Sequence, residues 1–439
     1  MVISNWVNSV IEAGQEIMRG DRKLFAPEHS IADNIALLCE QLLSSKGEAL
    51  GTALASSLVE ICKQLDAQQK IDFLHYLASQ FSAPEEQMDN AIAAYQKDPS
   101  KQNLYQLHIR TAPPRQELFR RINMAPDGTN TLVSLRADLL PLLKKYPELW
   151  EVDNDLRHLI NSWFNRGFLR LVKIDWRTAA NILEKLIAYE AVHSMNGWDD
   201  LRRRLANDRR CYAFFHPAMP DEPLIFVQVA LTSGLASSVQ DLLNTQVNAD
   251  METQADTAIF YSISDCQGGL RGISFGNFLI KQVVMELQGE LSNLKQFATL
   301  SPIPGFCRWL RSYTEGDELS AEQITLLEPY HNPNQLENSA ISPEAKELLT
   351  QLCAKYLYQV KRDKQPMDPV ARFHLRNGAS IGRLNWMGDS SPKGLAQSAS
   401  MMVNYCYKLD RVAEQHEKFL NEGLVSAEKE FLKIQQETN

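Results

Sequence analysis

No apolar run in this 439-residue chain comes near the roughly 20 residues that a bilayer-crossing helix requires. Basic side chains are also in short supply: 45 Lys and Arg stand against 54 Asp and Glu, for a formal net charge of -9. Nucleic acid is bound through basic surface, so it is excluded as a general partner, while a local basic pocket for one anionic ligand is not. The seven cysteines, at 39, 62, 211, 266, 307, 353 and 406, form no CxxC pair and stand near no histidine at zinc-finger spacing. This pattern argues against a structural metal and fits buried free thiols in a reducing compartment. The first 25 residues lack the basic start, apolar core and cleavage site of a secretory signal. Glu12, Glu16 and Asp21 speak against a mitochondrial leader, and the closing QETN is not a peroxisomal signal. The expected location is the cytoplasm.

What remains has the composition of a globular protein, 44% hydrophobic and 23% charged, and is long enough for two domains. The first third reads as helical. Leu58, Ile61, Cys62, Leu65, Ile71, Leu74 and Leu77 fall largely three and four apart, which predicts an amphipathic helix over 56–81. Strand-like alternation is scarce before about residue 170. The expectation is a helical bundle over 1–160, serving packing or oligomer formation, and a second domain over 161–439.

In the second domain two apolar runs, Cys211–His216 and Leu224–Thr232, flank the turn-rich PAMPDEP and predict a hairpin. A strand is expected over 257–266, then a glycine-rich turn and a helix from about Phe275. Asn377-Gly378 is a favoured pair for a tight hairpin turn, which would put His374 on a strand. A long helix is expected from Pro392 to Glu422, carrying Tyr407. Helices mixed with hairpins after an all-helical domain make the fold class α+β.

Four stretches carry chemistry. QGGLRGISFG joins a strand to a helix, and its glycines let backbone amides approach an anion at a helix N-terminus. It is neither a P-loop nor a dinucleotide fingerprint, and on local grounds an ordinary tight strand-to-helix turn explains it better than phosphate binding does. In LSPIPGF, Ser301 is set among prolines: it either caps the turn or is a hydroxyl held in one place for catalysis. No GxSxG elbow surrounds it, which argues against an α/β-hydrolase nucleophile. In FHLRNG, His374 is either a satisfied structural histidine or a proton relay with a reference pKa of about 6.5. Tyr407 in NYCYKLD is either core or site.

RGISFG, Arg271 to Gly276, resembles the pyrophosphate loop of the N-acetyltransferase-like superfamily, with Ser274 where a glycine usually stands. The segments YAFFHPAMPDEPLIFVQVALT, AIFYSISDCQGGLRGISFGNFLIKQVV, LSPIPGFCRWL and FHLRNGASIGRLNWMGD, in that order, resemble the malonyl-CoA decarboxylase family. The resemblance implies a helical, oligomer-forming domain, with a dimer or tetramer expected, before an N-acetyltransferase-like catalytic domain. By motif, it places functional residues at Ser301, His374, Tyr407 and Ser262. Coenzyme A would be gripped by Arg271, Gly272, Ile273, Ser274, Phe275, Gly276 and Asn277. The implied reaction turns malonyl-CoA into acetyl-CoA and CO2, with no metal, biotin or pyridoxal and coenzyme A carried only as part of the substrate. An acyl-CoA-dependent acyltransferase of the same fold and a non-catalytic acyl-CoA-binding regulator are the alternatives.

Overall fold

Asp66 divides the amphipathic stretch at 56–81 in two. In the computed structural model, which describes residues 30–44, 46–244, 250–273, 279–316, 318–331 and 342–436, helices Lys46–Gln64 and Ala67–Gln80 replace the single predicted helix. The Asp66 carboxylate accepts the Gln69 N–H at 2.8 Å, and the Gln69 side chain accepts the Asp66 N–H at 3.0 Å. Such a reciprocal capping box starts a new helix where the apolar spacing alone runs on.

Two units can be distinguished. The first takes the chain up to Arg170, together with Phe215–Leu224 and the loop that opens at Cys266. Its helices include Pro114–Asn123, Gly128–Leu139 and Trp150–Trp163. They bury Leu58, Leu74, Phe119, Leu132, Leu156 and Phe164 in one core, which Met219, Leu224, Leu270 and Ile273 also join.

The second unit is built on a mixed sheet. Its strands are β1 (Arg170–Ile174), β2 (Arg209–Phe215), β3 (Ile225–Thr232), β4 (Thr257–Asp265), β5 (Gln296–Thr299), β6 (Ser301–Pro302), β9 (Ser380–Asn385) and β10 (Met402–Cys406); β7 (Lys361–Arg362) and β8 (Gln365–Pro366) form a separate ribbon. The predicted hairpin is present as β2 and β3, paired antiparallel. β4 and β5 run parallel, in register from Thr257↔Gln296 to Phe260↔Thr299. β10 lies against β9 along one edge, and along the other it meets β5 at Cys406↔Ala298 and β6 at Val403↔Ser301. The α+β class read from the sequence, a helical region followed by a mixed-sheet domain, is the observed one.

Two local expectations are corrected. Asn377-Gly378 does not turn a hairpin: residues Pro369–Arg376 form a helix, so His374 is helical. Gly378, at φ +81, closes it, with the Ala379 N–H on the His374 carbonyl and the Gly378 N–H on that of Leu375. This is a Schellman cap, which calls for the same glycine a tight turn would use. A Cβ at 378 would sit 2.2 Å from the Val412 carbonyl oxygen.

The long helix expected over Pro392–Glu422 is interrupted as well. It ends at Ser398, the buried run Met402–Cys406 becomes β10, and helix Val412–Glu422 follows. The break needs left-handed backbone at two non-glycine residues, Ala399 (φ 49) and Ser400 (φ 62). No glycine or proline marks it in the sequence. Burial of Met402, Val403 and Tyr405 in the sheet outweighs local propensity here. Tyr407 therefore follows a strand and is not on a helix.

Candidate active site

Ser301 owes its position to the sheet. It follows Leu300, whose N–H is spent on the Phe260 carbonyl, and it pairs with Val403 of β10. Pro302 has no N–H to offer a further strand, which suits an edge. The Ser301 hydroxyl donates to Thr299 Oγ1 at 2.8 Å. Thr299 is fixed in turn: its Oγ1 accepts the Tyr405 N–H at 3.1 Å and its carbonyl accepts Asn404 Nδ2 at 2.7 Å.

His374 arrives from the helix Pro369–Arg376. Asp368 caps that helix, its Oδ1 accepting the N–H groups of Val370 and Ala371, both at 2.9 Å. The imidazole stacks on Tyr405, with ring centres 4.7 Å apart and planes at 25°. Its Nε2 lies 3.1 Å from Ser301 Oγ, and its Nδ1 lies 2.8 Å from the hydroxyl of Tyr407. Ser301, His374 and Tyr407, far apart in sequence, thus form one hydrogen-bonded line.

All three are buried, at 5%, 3% and 5% exposure. Loss of hydration penalises the imidazolium and lowers the His374 pKa from 6.5 to about 3. The neutral-range value assumed from the sequence is corrected accordingly: His374 is a neutral imidazole at physiological pH. Burial also holds the Tyr407 phenol well above its ordinary value, so it keeps its proton. Behind the histidine, burial raises Asp368 to about 6. Asp368 Oδ2 lies 3.6 Å from where a Cβ on Gly305 would stand, and the Gly305 N–H is among the backbone groups that oppose this rise.

Ser262 makes its hydrogen bonds elsewhere. Its hydroxyl donates to the Glu190 carboxylate, 2.9 Å and 2.8 Å from its two oxygens. Gln228 Nε2 reaches the same carboxylate at 2.6 Å, and Arg204 stands 3.6 Å away. Of the glycine loop, Arg271 and Gly272 are exposed, Gly272 has φ +77, and Ile273 is buried among the helices of the first unit. Ser274, Phe275, Gly276 and Asn277 lie outside the described residues.

The sequence reading missed Thr299, Asp368, Asn404 and Glu190. Only Asp368 carried a signal: an acid before a proline, at a helix start, is a recognisable cap. Threonine, asparagine and glutamate within buried strands and loops are too common to stand out.

A family profile described as the malonyl-CoA decarboxylase C-terminal domain matches residues 167–438, and one for the N-terminal domain matches 81–164. The chain belongs to the malonyl-CoA decarboxylase family. The crystal structure of malonyl-CoA decarboxylase from Rhodopseudomonas palustris is 46% identical, with a TM-score of 0.87 over 92% of this chain and 99% of that one. The Agrobacterium vitis malonyl-CoA decarboxylase is 47% identical, with a TM-score of 0.84 and the same coverage. Among animal relatives, the mitochondrial malonyl-CoA decarboxylase of Anser anser anser is 38% identical over 347 residues, 73% of this chain and 69% of that protein. The families of solved and curated relatives therefore agree.

Proposed function

We propose that Ser301 delivers the proton in the decarboxylation of malonyl-CoA to acetyl-CoA and CO2, with His374 and Tyr407 aligned behind it. The observation that carries this reading is the unbroken line Ser301 Oγ to His374 Nε2 at 3.1 Å and His374 Nδ1 to Tyr407 at 2.8 Å. Breaking the C–CO2 bond sends its electrons into the thioester carbonyl, so the thioester is itself the electron sink and no other cofactor is needed. The resulting enolate must take a proton at carbon. An isolated serine hydroxyl is a weak acid. One that receives a hydrogen bond from Nε2–H is a better one, because the charge growing on oxygen is met by a donor.

Ser262 and Ser301 each lie two residues beyond the last register pair of the parallel ladder, Phe260↔Thr299. The acyl end of the substrate would enter where this ladder stops, beside Ser301. Ser262 then serves from β4, tying that strand to Glu190. The pyrophosphate would rest on the loop amides that begin at Gly272. Release of labelled CO2 from carboxyl-labelled malonyl-CoA, without an acceptor, tests the assignment. Ser301→Ala should lower kcat by on the order of 100-fold and leave coenzyme A binding nearly intact. A drop of less than about fivefold would exclude a direct role.

Self-association belongs to the same reading. Helix Lys101–Thr111 buries none of its residues and exposes Leu104, Tyr105 and Ile109. A dimer or tetramer that covers this face is the proposal, and light scattering of Leu104→Glu/Ile109→Glu should show a smaller species. All seven thiols are free, and among the described residues no helix is long and apolar enough to cross a membrane. A cytoplasmic location suits the free thiols, and cell fractionation checks it.

A further inference from the structure

The glycine loop is pinned from below by the helical region. Arg136, in helix Gly128–Leu139, is 2% exposed and points its guanidinium at the loop. Its Nη1 donates to the carbonyls of Gly269 at 2.5 Å and Arg271 at 2.9 Å, while its Nε donates to Asp153 Oδ1 at 2.8 Å. Three acceptors in a fixed fork suit a guanidinium and not an ammonium.

The loop is also seated by shape. A Cβ on Gly269 would lie 1.8 Å from the Val133 carbonyl oxygen, so only glycine allows this approach. Leu270 and Ile273 are sunk in the helical core on either side of Arg271. The consequence for the next amide follows from peptide geometry. In a trans peptide the N–H points opposite to the preceding C=O. Holding the Arg271 carbonyl toward Arg136 therefore turns the Gly272 N–H away from the helices. That amide is the first of those proposed to meet the pyrophosphate.

We infer that Arg136 is a positioning residue for the coenzyme A end of the substrate, acting through the carbonyls of Gly269 and Arg271. The helical region then has a part in substrate recognition beyond packing and self-association. The inference rests on the reading of the Gly272 loop as the pyrophosphate seat, and the test separates the two.

The full chain is assayed with malonyl-CoA and with malonyl-pantetheine, which lacks the pyrophosphate and nucleotide. Arg136→Met is combined with Asp153→Asn, so that no unpaired buried carboxylate remains. This double variant and Gly269→Ala should each raise KM for malonyl-CoA about tenfold or more, with kcat within about threefold. KM for malonyl-pantetheine should not move. Arg136→Lys, keeping the charge but not the fork, should fall between. Circular dichroism and a thermal melt confirm folding, and Gly269→Ala decides the matter if the arginine variant does not fold. Replacing Gly272 by glycolic acid, an ester unit that deletes the amide hydrogen and still tolerates φ +77, tests the underlying reading. If the ester shows the split between substrates but the folded Arg136 and Gly269 variants do not, the inference about Arg136 is overturned and the seat stands. If the ester affects both substrates alike, or neither, the seat is lost and Arg136 with it.

Discussion

The Tyr407 hydroxyl lies 2.8 Å from Nδ1 of His374, opposite the nitrogen that faces Ser301. Together with the Ser301–Thr299 hydrogen bond, this contact assigns the tautomer. Tyr407 keeps its proton and donates it to Nδ1, which leaves the hydrogen of the neutral ring on Nε2. Nε2–H then donates to Ser301, whose own hydrogen is directed at Thr299 Oγ1 at 2.8 Å. Every polar hydrogen along Tyr407, His374 and Ser301 has an acceptor in this arrangement.

Removing the phenol should therefore loosen the ring without removing the acid. In Tyr407→Phe the tautomer is no longer set, and kcat should fall by on the order of 10- to 100-fold with little change in KM. Nitrogen NMR of the histidine ring gives the readout that a merely structural role would not move. Wild type should show the hydrogen on Nε2, and the variant a mixture.

Burial of His374 also sets a dependence on pH. Its folded pKa is about 3 and its unfolded value about 6.5, so between these values the unfolded chain binds more protons. Stability is then lost as pH falls below about 6.5, amounting to about 2 kcal/mol from this group by pH 5. His374→Gln should lose less stability on going from pH 7.5 to 5 than wild type does, as measured by urea unfolding at the two values. An equal loss in both would mean that His374 carries no such shift. The same burial means that the kcat/KM profile should show no acid inflection near pH 6.5 from this residue.

Asp368 holds the short helix that presents His374. Asp368→Ala removes a cap on two N–H groups and should cost about 1 kcal/mol, along with a fall in kcat as the ring loses its alignment. Asp368→Asn keeps the capping oxygen and should recover most of kcat. The carboxyl is raised to about 6 by burial, so the folded chain binds more protons than the unfolded one between about 3.8 and 6. Stability from this group is present at low pH and lost as pH rises through 6. The asparagine variant should therefore gain on wild type at pH 7.5 relative to pH 4.5.

How far the sequence alone leads can be judged from these same residues. Ser301, His374 and Tyr407 were singled out on motif and resemblance, and the fold brings the three together. Their settings were misjudged where one residue pair serves two structures, as Asn377-Gly378 does. They were also misjudged where tertiary burial overrides a helical pattern, as at Met402–Cys406. The protonation state of His374 was out of reach for a similar reason. It depends on Tyr405 stacking over the ring and on exclusion of water, and neither has a local sequence signature. Arg136 was hidden inside a helix that read as plain packing, because a buried arginine declares itself only through its acceptors.

Ser262 offers a last discrimination, between touching substrate and supporting the strand. Glu190 is fully buried and is held by the Ser262 hydroxyl, by Gln228 at 2.6 Å and by the N–H groups of Val192 at 2.8 Å and His193 at 3.0 Å. Deleting the hydroxyl leaves a buried carboxylate short of one donor, which should cost about 1–3 kcal/mol. Ser262→Ala should thus lower the unfolding midpoint, while Ser262→Thr, which keeps a hydroxyl, should recover part of it. If Ser262 acts only through Glu190, kcat for the folded Ser262→Ala enzyme should stay within about fivefold of wild type at 25 °C. A loss of 100-fold or so with an unchanged melting curve would instead place the hydroxyl on the substrate, because the strand would then be intact and only the reaction impaired.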